Sequence, residues 1–122
     1  MSVMSERFVP GDLLVFQIES GFGLIKVIGI DEAGTGTIWH LKAYRDLFMD
    51  IEMADLAAAS PESLTVEIPH VAMTDRAFES TQVSALSNTE ISSEESKKVE
   101  AWRANGNDEV SDRSVRLLLG LR

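Results

Sequence analysis

His40 and His70 are the two imidazoles in a chain of 122 residues, and they are where acid–base or metal chemistry would start. They fall on different predicted strands, so a sheet could bring them together, with Glu67 or Asp75 as a third ligand of a kind zinc accepts. Their spacing matches no recognised metal motif, and a lone histidine is more often a polar surface residue or a satisfied core residue. The chain has no cysteine, which excludes thiolate zinc sites, disulfides and cysteine nucleophiles. Serine, histidine and acid are all present, but no Gly-x-Ser-x-Gly elbow gives a serine the context of a nucleophile. The paired carboxylates Asp31-Glu32 and Glu94-Glu95 read as a turn and as a helix N-terminus that favours negative charge. The residues therefore predict no enzyme, no metal and no cofactor.

The stretch SGFGLIKVIGI, Ser20 to Ile30, raises a phosphate-binding alternative. A dinucleotide fingerprint needs its glycines between a strand and a helix, so that backbone amides and the helix N-terminus face the pyrophosphate. Here Gly21 and Gly23 lie between two predicted strands, Gly29 is wrongly spaced for the third glycine, and no Gly-Lys-Ser/Thr follows. Gly21 or Gly23 is read instead as a corner residue, with positive φ or a bulge. The turn beginning at Asp31 is superficially like a calcium loop. Ala33 replaces a ligand there, and Lys42 stands at the twelfth position, where a bidentate glutamate is required.

These residues need elements to position them. Short β-branched and aromatic runs bounded by Gly, Pro and Asp predict strands at about 12–18, 22–30, 37–44 and 64–69, the last ended by Pro69, with Gln82 to Leu86 another short one. Residues 22–30 are apolar on both faces, so that strand must be covered twice. In 37–44, Trp39, Leu41 and Ala43 share one face and Ile38, His40, Lys42 and Tyr44 the other. Residues 45–59 fit both periods and are read as extended to about Met53, then a short alanine-rich helical turn. Ser92-Ser93-Glu94-Glu95 fits a capping box. It predicts a helix over about 93–105 that docks by Val99 and Trp102, with Gly106 just after the C-cap. The tail, 114–122, contains LLLGL and should pack on the sheet or on a second subunit. One α+β domain over 1–122 follows: a small, largely antiparallel barrel or strongly bent sheet with one C-terminal helix packed on it.

Pro10-Gly11-Asp12 opening one strand, and Gly21-Phe22-Gly23 opening a second that ends in Val27-Ile28-Gly29, resemble small bacterial proteins built on an SH3-like barrel, including immunity proteins of toxin systems. The likeness covers the first third of the chain and implies a binding module without chemistry of its own.

Charge bears on the partner. Residues 1–45 hold five acids and four bases (net -1), and residues 46–122 hold fifteen and seven (net -8), which together give the -9 of the whole chain. Such a surface repels a phosphate backbone, so no nucleic acid is expected, and a basic protein partner suits it. No window approaches a membrane span, and the N-terminus has no apolar run long enough for a signal peptide, so no membrane partner and a cytoplasmic location are expected. The apolar strand faces and leucine-rich tail suggest a homodimer. The expected function is a non-enzymatic interaction or immunity-type module that binds a protein through its acidic surface. Its candidate surface residues are Phe22, His40, Tyr44, Phe48, His70 and Trp102. The alternative is a protein that binds a small molecule or metal, or hydrolyses a substrate, with a pocket near His40 and His70.

Overall fold

The computed structural model describes residues 7–34, 36–105 and 109–121. The fold is α+β: strands β1 (Asp12–Ile18), β2 (Gly21–Ala33), β3 (Gly36–Phe48), β4 (Val66–Thr74) and β5 (Val83–Asn88), with helices α1 (Ile51–Ala58), α2 (Asp75–Glu79), α3 (Ser93–Asn105) and α4 (Val115–Leu118). The strands form one antiparallel sheet in the order β4-β3-β2-β1-β5. β4 and β5 are its two edges and do not pair, so of the barrel and the sheet the chain takes the open sheet.

β2 and β3 are longer than their apolar runs. Asp31 and Glu32, read as a turn, continue β2 in register with Ile38 and Thr37 of β3. Pro69, read as the end of a strand, lies inside β4. It is tolerated because β4 is an edge and because the β3–β4 register shifts between Leu41 and Ala43, opposite it. The segment read as extended to Met53 turns helical at Ile51, with Asp50 as N-cap accepting from the Met53 amide.

The sheet is covered on both faces, as the two-sided apolarity of β2 requires. On one side Phe16, Ile25, Val27, Trp39, Leu41 and Met73 pack with α2 and with Val115 of α4. Leu118, Leu119 and Leu121 of the tail join that cluster. On the other side Leu13, Val15, Leu24 and Tyr44 pack against Ala54 and Ala58 of α1, and α3 covers the rest. The chain's own helices and tail thus cover the apolar centre of both sheet faces, while Leu117 of the tail stays 60% exposed.

Gly21 and Gly23 do not take positive φ; among the described residues Gly11, Gly36 and Gly120 do. Gly23 pairs directly with Phe16 across β1 and β2, and a Cβ there would stand 2.5 Å from the Phe16 ring. The ring lies over the glycine, and the β2–β3 register shifts just beyond it. Close approach, with the neighbouring bulge, is what this glycine is for.

Candidate functional site

The capping box at the start of α3 forms as its sequence requires: Ser92 Oγ accepts from the Glu95 amide at 3.1 Å, and Glu95 Oε1 accepts from the Ser92 amide at 3.0 Å. The Gly106 position expected to close this helix lies outside the described residues. What the capping pattern does not reveal is that Glu95 is itself buried, 5% exposed. It receives Lys26 Nζ at 2.9 Å and Lys42 Nζ at 2.7 Å, and Lys26 also donates to the Glu90 carbonyl at 2.8 Å. Burial alone would raise the Glu95 pKa; the hydrogen bonds from Lys42, the Ser92 amide and Lys26 outweigh it and hold it at about 2. Burial, with the Glu95 charge added, pushes Tyr44 up to about 12. Val99 is the other buried residue of α3, and it seats over Gly29, where a Cβ would come within 3.2 Å of it. The first half of α3 therefore docks by one valine and one charge-paired carboxylate.

One turn further along α3 lies the histidine pair. His40, fully buried, contacts Asp31 Oδ2 through Nε2 at 2.8 Å and His70 Nε2 through Nδ1 at 2.9 Å. Burial lowers the His40 pKa more than Asp31 raises it. Burial raises that of Asp31, but hydrogen bonds from Arg103 and His40 outweigh it and lower it. Neutral His40 facing an ionised carboxylate fixes the protons: His40 Nε2–H donates to Asp31, and His40 Nδ1 accepts from His70 Nε2–H. Arg103 of α3 closes the far side of Asp31 at 2.9 Å. The Trp102 ring stands edge-on to His40, centroids 4.8 Å apart, while its Nε1 donates to the Glu109 carbonyl at 3.1 Å.

The two histidines thus meet as the sheet reading suggested, but the third partner is Asp31. Glu67 is engaged by Arg45. Asp75 accepts from Trp39 Nε1 and Arg7 on the opposite face of the sheet, because Trp39 and His40 are consecutive in β3. Among the described residues no group of three or more His, Cys, Asp or Glu could hold a metal ion. Half-buried His70 and Trp102 border an open cleft of about 890 Å³, with Ser111 and Arg113 on its other wall.

The remaining candidates lie elsewhere. Tyr44 is buried, and Phe22 and Phe48 pack partly buried in the same cluster beneath α1. Phe22, Tyr44 and Phe48 thus lie beneath α1, whereas His40 and His70 meet Trp102 at α3, and among the described residues no single pocket joins the two groups. Above the first group α1 is reversed for a surface helix, which ordinarily turns its large apolar residues inward. Its buried residues are Ala54 and Ala58. Ile51 is 46% exposed, Met53 49% and Leu56 76%, and Met49 just before the helix is 83% exposed. Residues 46–67 contain six acids and no Lys, Arg or His, so these apolar side chains stand among Asp50, Glu52 and Asp55.

Neither a protein-family model, nor a curated protein, nor a solved structure matches the chain.

Proposed function

We propose that the protein is a non-enzymatic interaction module that binds a protein partner through its acidic surface. The observation that carries this reading is the face presented by residues 49–56: exposed Met49, Ile51, Met53 and Leu56 among acids, in a stretch without a base. An exposed apolar group rimmed by polar residues is what an interaction surface requires, and scattered solubilising charge would not need it. The groups best suited to chemistry are meanwhile committed to one another, His40 to Asp31 and His70, and Glu95 to two lysines.

The test is retention of a defined partner by the tagged full-length protein from a lysate of its own organism at low and high salt, with metal analysis of the same sample. A stoichiometric basic protein released by salt is the expected result. A protein that elutes alone and carries a metal or small molecule contradicts the proposal. It would favour a second reading, a small-molecule site at the His70–Trp102 cleft, for which the cleft and His70 on its wall, backed by buried His40, speak.

A further inference from the structure

Resting on that reading, we infer that the outward face of α1 is the seat of one kind of partner segment, a basic amphipathic helix, with Met49, Met53 and Leu56 receiving its apolar side and Glu52 and Asp55 its cations.

The construction of α1 supports this occupant. The helix is held to the sheet by small side chains, with Ala54 and Ala58 buried one turn apart and Ala57 half-buried beside them. Methyl groups allow close docking on Leu13, Leu24 and Tyr44, so the large side chains are not needed inside. Met53 and Leu56, three residues apart, share the outer face, and Met49 extends it past the N-cap. Methionine is unbranched and polarizable and fits apolar surfaces of varied shape, which suits a seat for a helix better than a lock for one side chain. A partner helix would meet this row with residues spaced i, i+3, i+4.

Charge selects among occupants. Six acids and no base in residues 46–67 make a second copy of this chain a poor fit, since its own α1 would set carboxylates against carboxylates. An acidic or neutral helix gains nothing from Glu52 and Asp55. A segment with lysine or arginine beside its apolar row gains at both, and its approach is steered by the same field.

The probe is a synthetic Leu–Lys peptide of about 18 residues, five helical turns, with leucine at helical period, alongside a shuffled isomer of identical composition and charge. The full-length protein is titrated with each by calorimetry. Binding of the periodic peptide is expected to exceed that of the shuffled one, and Met53→Ser/Leu56→Ser to weaken it by roughly tenfold or more, the loss typical of two apolar anchors. Glu52→Lys/Asp55→Lys should weaken it further and flatten its salt dependence. Both side-chain sets are exposed, so unchanged thermal melts will show that the variants are folded.

Equal affinity for the two peptides, or equal affinity of wild type and Met53→Ser/Leu56→Ser, overturns the inference. So does a dimer of the protein alone that dissociates on Leu56→Ser, since the occupant would then be a second copy. The broader reading fails separately. If a native basic partner is retained equally by wild type and by Met53→Ser/Leu56→Ser, the module binds proteins but the seat lies elsewhere. If no native partner is retained at all, the interaction reading itself falls.

Discussion

Replacing Glu95 by glutamine leaves Lys26, with a side chain 6% exposed, facing a neutral amide. Breaking a buried pair by removing one partner costs about 3–5 kcal/mol, so Glu95→Gln should lower the denaturation midpoint far more than Glu94→Gln, which removes an exposed carboxylate of the same turn. The same residue sets an acid limit. Its folded pKa is about 2 against an ordinary 4.5, so between these values the unfolded chain binds the extra proton. The stability it contributes is complete above 4.5 and is lost as pH falls toward 2, on the order of 3 kcal/mol in all. His40 acts higher on the scale. Its pKa is lowered from 6.5, so it too favours the folded state above 6.5, and that contribution declines as pH drops below that value. Denaturant melts across pH should show two descents, and His40→Asn should remove the earlier one while leaving the later one in place.

The elements were legible in the sequence where pattern and packing agree. β1 follows from its β-branched and aromatic run, the core face of β3 from apolar alternation, and α3 from the capping box of Ser92 and Glu95, all of which are satisfied within the chain. The misreadings have physical causes. Asp31 and Glu32 look like a turn because they are polar, yet β2 carries them on, and Asp31 becomes the acid of the histidine pair; no local signal marks a carboxylate that meets a histidine across a hairpin. Leu47, Met49, Ile51 and Met53 alternate like a strand, but this alternation belongs to solvent-facing residues. The core side of α1 is written in alanines, which carry little hydrophobic signal. Two substitutions separate these roles. Ala54→Leu forces bulk between α1 and the sheet and should cost about 1–3 kcal/mol. Leu56→Ser, at a position 76% exposed, should change stability by less than about 0.5 kcal/mol, and paired thermal melts decide it. Gly23→Ala belongs with the first kind, since its methyl would meet the Phe16 ring at 2.5 Å.

Taken whole, the molecule is an open sheet closed on one face by α2, α4 and the tail and on the other by α1 and α3. Among the described residues no helix is long and apolar enough to cross a membrane. Truncation before Ser114 removes Val115, which is buried, and the leucines packed with it. The shortened chain should aggregate, measured by light scattering; a soluble product with an unchanged melting point would mean that the tail contributes nothing to the core. The two helices that cover the second face differ in finish. The α3 side is satisfied by buried charge pairs, whereas the α1 side leaves apolar groups exposed among acids, and this difference is the basis of the functional proposal. Its most direct test is site-specific photo-crosslinking in cells of the source organism, with the photoreactive residue placed at Leu56 in one protein and at Glu94, on α3, in another. A basic protein captured from position 56 and not from position 94 is the predicted result. Capture from 94 alone, or from neither position, would contradict the account.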